Sequence, residues 1–306
     1  MMQNTGPDRE LSLGEAVALG LLQGPTELLP VSSSGHTTLI PWLAGRPRAR
    51  LDPELRKAFE VALHAGAGAA LAIDLRGELR EAFSGLDRRG AAMIGLSLAP
   101  PALAGYTLER TIERRLGGPC SIAAGLIAGA AAMALADARP GRLTSRGRRG
   151  RASAPGSRRR ADAGPCDGLA LGIAQALALI PGVSRNGAAL TATRARGFAR
   201  EDAAALSWHA ALGVIVGASA LKGWRLTTRG RRGAGLPAGA GRALLAGGAS
   251  AFVSTLASAR VLRRSAVSRR SLLPYAIYRC LLAALAVRRL RSSPDARGWT
   301  AEEASR

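Results

Sequence analysis

Long apolar stretches dominate the chain and alternate with short polar segments, most of them basic. Six of these stretches approach the roughly 20 residues that a helix needs to cross a bilayer. They lie near residues 55–75, 91–108, 119–138, 202–222, 238–259 and 272–290. Charged loops between uncharged spans are typical of membrane proteins. The pattern predicts an all-α polytopic membrane protein, with six transmembrane helices in a single integral membrane domain over residues 1–306.

Two further apolar stretches are each interrupted, so that neither part is an ordinary span. The first runs over 12–29, breaks at "PVSSSG" (30–35) and resumes over 36–45; the second runs over 167–180, breaks at "PGVSRNG" (181–187) and resumes over 188–198. A non-helical segment is tolerated at membrane depth only where protein or a water-filled cavity surrounds it. Each stretch therefore predicts a re-entrant helix hairpin.

The two predicted hairpins resemble each other, and three predicted spans follow each of them. The chain thus divides into a first half-repeat over 11–138 and a second over 167–290. An odd number of spans gives the two halves opposite orientations, and inverted repeats place a shared site between their broken helices. The Arg-, Ser-, Gly- and Pro-rich segment 139–166 predicts a flexible connector, and 291–306 is a polar tail.

Arginine gives the chain a strong positive charge. Lys+Arg is 43 against Asp+Glu 21, a formal net charge of +22, and Lys57 and Lys222 are the only lysines. The arginines are dispersed between apolar runs, and aromatic residues make up only 4%. A surface that binds single-stranded nucleic acid stacks bases on aromatic side chains. The composition therefore predicts membrane-flanking loops and no nucleic-acid partner.

The first break and the helix before it combine several reactive groups. Gln23 and Glu27 are spaced i, i+4 and share a helix face. A carboxylate in a membrane segment is a functional candidate, because burying it costs about 2.5–3.5 kcal/mol on insertion scales. The serines 32–34 supply hydroxyls, and His36 supplies an imidazole at the start of a helix. Together these groups offer a carboxylate for a cation, a nucleophile and a proton carrier.

The second break contributes a cation. Ser184 and Arg185 lie between Pro181-Gly182 and Gly187. The guanidinium fork suits bidentate binding of phosphate, and the alternative is a structural pair with Glu27. Either interpretation places both residues in one pocket.

Other polar residues of the helices are weaker candidates. Glu60 and His64 share a helix face and could line the same cavity. His209 is interpreted as a packing histidine on an apolar helix.

The two breaks carry the motifs of a known family. "QGPTELLPVSSSGH" (23–36) resembles the (E/Q)-x-x-x-E and Ser-Ser-x-Gly-His signature of the undecaprenyl-diphosphatase family, also called bacitracin-resistance proteins. "PGVSRNG" is similar to the second signature of that family, Pro-Gly-x-Ser-Arg-Ser-x-x-Thr. "FEVALHAG" (59–66) and "REDAAALS" (200–207) extend the resemblance to roughly residues 11–290.

The resemblance implies six spanning helices and two re-entrant hairpins in inverted halves, as the hydropathy pattern predicts. It also implies hydrolysis of undecaprenyl diphosphate to undecaprenyl phosphate, which recycles the lipid carrier of cell-wall synthesis and confers bacitracin resistance. The cofactor would be Mg²⁺ or another divalent cation. The protein would lie in the bacterial plasma membrane, in contact with its lipid, with the site facing outward.

The resemblance assigns a role to each residue of the motifs. Glu27, Ser33, His36 and Arg185 would be catalytic; Gln23 and Glu27 would lie near the metal; and Gln23, Ser32, Ser34, Ser184 and Asn186 would bind substrate. Three positions depart from the pattern or use its alternative. Gln23 cannot supply a second negative charge, Asn186 replaces the second serine of the motif, and Ala189 stands where threonine is expected.

Two other classes of function remain open. Inverted repeats with broken helices are also a transporter design, so a flippase of a lipid phosphate or a small-anion carrier is one alternative. A homologue that binds lipid diphosphate without cleaving it is another. Release of phosphate in detergent, dependent on a divalent cation, would distinguish hydrolysis from both. The choice between Ser33 and His36 as nucleophile, the lipid chain length, the orientation of the termini and a homodimeric assembly are left open.

Overall fold

The computed structural model describes residues 11–45, 51–138, 158–230, 239–264 and 271–292. Within these ranges the chain is helical, and the only strand-like pairing is an isolated bridge between Arg158 and Phe198. The helices are α1 (Leu13–Leu28), α2 (Ser33–Leu43), α3 (Pro53–Asp74), α4 (Arg76–Ser84), α5 (Arg88–Thr107), α6 (Glu109–Leu116), α7 (Pro119–Ala138), α8 (Pro165–Leu177), α9 (Arg185–Ala195), α10 (Arg200–Gly230), α11 (Ala240–Arg264) and α12 (Leu273–Ser292), with a 3₁₀ turn at Arg160–Asp162. The all-α class is thereby confirmed for the described residues.

Helices occupy all six predicted spans, as α3, α5, α7, α10, α11 and α12. Within the described residues, three are long and apolar enough to cross a membrane: Pro119–Ala138, Arg200–Arg225 and Ala240–Arg264. Large apolar side chains are exposed on their outer faces, among them Leu135 (63%) and Leu245 (76%). Such exposure suits contact with lipid. The chain is therefore a membrane protein.

Each predicted hairpin is two helices with a short break, but the second helix begins three residues earlier than expected. α2 starts at Ser33 and α9 at Arg185, where the sequence predicted 36 and 188. The serine before each helix accepts a hydrogen bond from the glycine amide three residues later, and so caps the helix. The cap brings the reactive residues into the first helical turn instead of a loop tip.

The first helix of each hairpin packs against the opposite half of the chain. Gly20 and Gly24 of α1 lie against the backbone of α11, and Gly168 and Gly172 of α8 lie against the backbone of α5. A Cβ atom at any of the four would overlap the facing helix. Small residues spaced i, i+4 allow such close approach of two helices. Each hairpin is therefore held by the second long helix of the other half.

The glycine-rich run 66–72 of α3 contributes to the same packing against α11. Its first residue, Gly66, meets the backbone of Gly248.

Buried carboxylates join segments that are distant in sequence. Asp137, near the end of α7, lies 2.9 Å from Arg194 of α9 and 2.9 Å from Arg200 of α10. It also accepts a hydrogen bond from the backbone N–H of Leu272, just before α12. Four elements thus share one carboxylate, which is paired as a buried charge must be.

Part of the predicted connector is ordered by similar contacts. Arg158 pairs with Asp167 at 2.8 Å, and its guanidinium lies 4.2 Å from the centre of the Phe198 ring. Residues 158–164 therefore belong to the folded second half of the chain. Residues 1–10, 139–157 and 293–306, which include most of the connector and of the polar tail, lie outside the described residues.

The helix packing leads to a testable expectation about stability. Alanine is favoured over glycine in a helix by about 0.5–1 kcal/mol, whereas overpacking a tight contact costs about 1–3 kcal/mol. Gly24→Ala should therefore lower the Tm of detergent-purified protein. Gly217→Ala, at a position in α10 with open space around it, should leave the Tm unchanged or raise it. Equal Tm shifts in the two variants would contradict the close contact between α1 and α11.

Candidate active site

The two breaks share an unusual backbone geometry. Ser32 and Ser184 have positive φ angles of 77° and 70°, and they are the only non-glycine residues with positive φ among those described. Their hydroxyl oxygens accept from the amides of Gly35 (3.3 Å) and Gly187 (3.1 Å). A non-glycine residue in a sparsely populated region of this kind costs about 1–3 kcal/mol. The two breaks therefore share the same costly backbone conformation at corresponding serines.

Glu27 lies at the point where the two breaks meet. Its side chain is 4% exposed. Its Oε2 accepts hydrogen bonds from the Gln23 amide at 3.1 Å and from the Ser33 hydroxyl at 2.6 Å. Nη1 of Arg185 lies 3.6 Å from Oε1. The structure thus brings together the carboxylate, the hydroxyl and the cation that the sequence placed in two distant segments.

The contact with Glu27 does not satisfy all the hydrogen-bond donors of Arg185. At 3.6 Å the ion pair with Glu27 is longer than a charge-assisted hydrogen bond. Nη1 is buried and has no hydrogen-bond acceptor among the described residues. A buried donor without a partner costs about 1–3 kcal/mol or more if charged. An anionic ligand beside Arg185 would remove that cost.

An open cavity of ≈ 250 Å³ lies against these residues. About 10–15 Å³ of such cavity volume is enough for one water molecule, so the cavity has room for a diphosphate group. Its lining contains the predicted residues Gln23, Ser32, Ser33, Ser34, Ser184 and Arg185. It also contains seven charged or titratable groups in all, namely Arg56, Lys57, Glu60, His64, Glu109, Arg185 and Lys222. Cations outnumber carboxylates in this lining, which favours an anionic ligand.

His36 lies apart from the cavity, although the sequence grouped it with Ser33. Its side chain is buried, at 2% exposure, and it does not belong to the lining of the cavity. Nδ1 donates to the Ser32 carbonyl oxygen at 2.7 Å, and Nε2 accepts from the Tyr278 hydroxyl at 2.6 Å. The two rings also stack, with centroids 5.5 Å apart. In this conformation both nitrogens of His36 are engaged, so neither is open to a substrate.

His64 is the histidine that lines the cavity. Its Nδ1 donates to the Glu60 carbonyl oxygen at 2.8 Å. Since a carbonyl oxygen only accepts, the proton lies on Nδ1. Nε2 has no hydrogen-bond partner among the described residues. Glu60 and His64, weaker candidates from the sequence, therefore face the same space as Ser33.

Asn186 has both ends of its amide engaged outside the cavity. Nδ2 donates to the Leu28 carbonyl oxygen and Oδ1 accepts from the Ser207 hydroxyl. These bonds tie the second break to the end of α1 and to α10. The geometry thus gives Asn186 a structural role, and its predicted contact with substrate stays a prediction.

Two residues of α12 support the breaks and were missed in the sequence. Tyr278 holds His36, and Arg279 is fully buried beside it. Nη2 of Arg279 donates to the carbonyl oxygens of Gly182 (2.9 Å) and Val183 (2.8 Å) in the second break. Gly187 makes room for the guanidinium, because a Cβ there would lie 2.9 Å from Nη1. The available signal was an arginine in the middle of an apolar helix, which marks a functional or structural site by default.

The fold and the cavity define an all-α membrane protein with a basic, hydroxyl-lined site between two broken helices. Comparisons with known proteins identify its family. The family model described as bacitracin resistance protein BacA matches residues 16–285. The chain therefore belongs to the bacitracin resistance protein BacA family.

Several relatives are similar over nearly their whole length. The undecaprenyl-diphosphatase of Geobacter sulfurreducens is 38% identical over 283 residues, which cover 89% of this chain and 96% of the relative. That of Geobacter metallireducens is 37% identical over 282 residues, covering 88% and 95%. That of Pelobacter propionicus is 36% identical over 284 residues, covering 89% and 94%.

Proposed function

We propose that the protein is a membrane phosphatase that hydrolyses undecaprenyl diphosphate to undecaprenyl phosphate and phosphate, and so recycles the lipid carrier of cell-wall synthesis. The relatives named undecaprenyl-diphosphatase support the substrate. The observation that carries the proposal is the hydrogen bond from Ser33 to Glu27, against a basic cavity and beside Arg185, whose Nη1 has no acceptor among the described residues. A diphosphate ester needs a nucleophile, a proton acceptor and charge neutralisation, and these groups supply all three.

Ser33 is the better-placed nucleophile. Its hydroxyl lies 2.6 Å from Oε2 of Glu27, which is within reach for a general base to accept the proton. In the proposed step Oγ of Ser33 attacks the terminal phosphorus, and the bond from that phosphorus to the bridging oxygen breaks. Undecaprenyl phosphate leaves with the electrons of that bond, and Glu27 holds the serine proton. Water then hydrolyses the phosphoserine, releases phosphate and restores the hydroxyl.

Arg185 and the second break would hold the charge of the diphosphate. Arginine binds phosphate through two parallel N–H donors, and Nη1 has no acceptor in the part of the chain that the structure describes. The cap at Ser184 leaves the first amides of α9 pointing out of the helix, where they favour an anion. Ground-state binding and transition-state stabilisation would thus come from groups held in place before the substrate arrives.

A divalent cation fits the donors at this site. No group of three or more His, Cys, Asp or Glu suited to a metal occurs among the described residues. Mg²⁺, however, commonly takes only one or two carboxylates and completes its shell with water and substrate phosphates. Glu27 and the carbonyl oxygen of Gln23 would hold it, since the Gln23 amide nitrogen is the atom that donates to Glu27. When bound, the ion would neutralise negative charge on the diphosphate.

The finer membrane arrangement is also proposed. Six spanning helices and two re-entrant hairpins, in inverted halves 11–138 and 167–290, would form one domain in the bacterial plasma membrane with the site open to the outer face. Three observations support this arrangement: the repeated caps at Ser32 and Ser184, the crossed packing of α1 on α11 and α8 on α5, and the exposed apolar faces. Labelling of single cysteines near the cavity by an impermeant thiol reagent in intact cells would test the outward orientation.

The proposed activity predicts cation-dependent release of phosphate from a C55 diphosphate by detergent-purified protein. EDTA should abolish the release, and added Mg²⁺ should restore it. Glu27→Gln and Arg185→Gln should each lower kcat/KM by about 10²-fold or more, because each removes a group that neutralises charge or accepts the proton. Glu78→Gln is the control, since this carboxylate pairs with Arg263 outside the cavity.

Full activity in Glu27→Gln or in Arg185→Gln would contradict the proposal. Binding of the lipid diphosphate without release of phosphate would favour a non-catalytic binder or a carrier instead.

The choice of nucleophile predicts a difference between two variants. Ser33→Ala should reduce phosphate release to background. His36→Ala should retain measurable activity, because both nitrogens of His36 are engaged with Ser32 and Tyr278. Tyr278→Phe, which removes only the partner of Nε2, should lower activity less than Ser33→Ala. Protein quenched in SDS at neutral pH should carry a phosphate on Ser33 that survives later treatment with acid; an acid-labile adduct that disappears in His36→Ala would reverse the assignment.

A further inference from the structure

Both lysines of the chain line the candidate active site. Lys57 lies near the start of α3 and Lys222 near the end of α10, and both belong to the lining of the cavity that holds Ser33 and Arg185. Lys+Arg is 43, and every other member of that set is arginine. The bias of the sequence towards arginine has therefore left lysine at two positions only, which are far apart in the chain and share one cavity.

Lysine differs from arginine in a way that matters at such a site. Its ammonium is a compact point charge with three donors on a flexible four-carbon stem, whereas the guanidinium is a planar fork that binds phosphate bidentately. An arginine thus suits a phosphate that must be held in one orientation, as Arg185 would hold it. A lysine can follow a phosphate that moves.

The surroundings of the two lysines are arranged for an anion. Arg56 precedes Lys57 and also lines the cavity. Both lie near the start of the 22-residue helix α3, which Asp52 caps. Lys222 carries a counterion, since its Nζ lies 2.8 Å from Oε1 of Glu109.

Glu109 has a second partner that stays outside the cavity. Arg225 lies three residues after Lys222 and pairs with Oε2 of Glu109 at 3.0 Å. Arg225 does not belong to the cavity lining. If Lys222 turned to a ligand, Glu109 would therefore still be neutralised.

We propose that Lys57 and Lys222 form a second phosphate subsite at the cavity. This subsite is separate from Arg185 and binds a mobile phosphate group. The inference rests on the proposed phosphatase function. The group is either the terminal phosphate of the substrate as it enters or the inorganic phosphate as it leaves. The proposal rests on two lysines in one cavity lining and on a counterion, Glu109, that keeps Arg225 as its partner when Lys222 turns to the ligand.

The test measures binding first, without turnover. Affinities of inorganic phosphate and of methylene diphosphonate, which is not cleaved, are measured by calorimetry on detergent-purified protein at constant ionic strength. Lys57→Gln and Lys222→Gln should each weaken binding roughly tenfold, as expected for the loss of a charge-assisted hydrogen bond. Arg225→Gln removes the same charge from the same helix and from the same partner, Glu109, but lies outside the cavity lining, so it should weaken both affinities clearly less than Lys222→Gln does.

A second variant should change the phosphate affinity in the opposite direction. Glu109→Gln removes the counterion of Lys222 and should tighten phosphate binding, because the ligand no longer competes with a carboxylate. This result does not depend on whether the lysine variants fold as well as wild type. Unchanged phosphate affinity in both lysine variants, or weakening by Arg225→Gln equal to that by Lys222→Gln, would overturn the subsite.

Kinetics then distinguish the two sources of the phosphate. A higher KM for the lipid diphosphate with unchanged inhibition by inorganic phosphate would assign the subsite to the entering substrate. Weaker inhibition by inorganic phosphate with an unchanged KM would assign it to the leaving product. The binding measurements need no catalysis. The proposed subsite can therefore be contradicted while the proposed phosphatase activity is supported, and the reverse is also possible.

Discussion

The buried carboxylate of Glu27 is the constraint on which the rest of the site depends. A carboxylate among apolar helices is stable only if hydrogen bonds and an opposite charge compensate for its lost hydration. Gln23 and Ser33 supply the hydrogen bonds, and Arg185 supplies the charge from the other half of the chain. Because the Arg185 side chain is 21% exposed, losing it would cost less than about 3–5 kcal/mol, the cost of losing one member of a fully buried ion pair. The two breaks must therefore meet, and their meeting places a hydroxyl, a base and a phosphate-binding cation side by side.

The backbone conformation of the two breaks allows Glu27 and Arg185 to come together. The positive φ angles of Ser32 and Ser184 begin α2 and α9 abruptly, so the side chains of Ser33 and Arg185 emerge from the first turn of a helix. Arg279 then holds the carbonyl oxygens of the second break from α12. Conformational cost is concentrated at the breaks and offset by packing elsewhere, which is common where function needs a fixed geometry.

The packing that offsets this cost is built from small residues. Glycines on α1 and α8 let these helices approach α11 and α5 closely, so that each half of the chain supports the hairpin of the other half. In a lipid environment, close van der Waals packing replaces much of the hydrophobic driving force between helices. The two halves cannot hold their sites independently, because each hairpin is packed on a helix of its counterpart. The membrane fold and the candidate site are thus stabilised by the same contacts.

The sequence by itself determined the local features of this protein. Hydropathy and length predicted helices at all six long stretches and both broken ones, and the i, i+4 spacing with the cost of burial identified Glu27 and its neighbour Gln23. These signals are local, since they depend on residues within one helix. The resemblance to the family supplied the chemistry, and the family match agrees with it.

Only the tertiary structure decided which of these groups share a cavity. It turned His36 towards Tyr278, engaged Asn186 in structural bonds, and brought His64, Lys57 and Lys222 to the side of Ser33. It also started α2 and α9 earlier than the Gly and Pro pattern predicted. The physical reason is that the positions of these side chains depend on contacts between helices far apart in the chain. The residue pattern within a single helix does not contain information about such contacts.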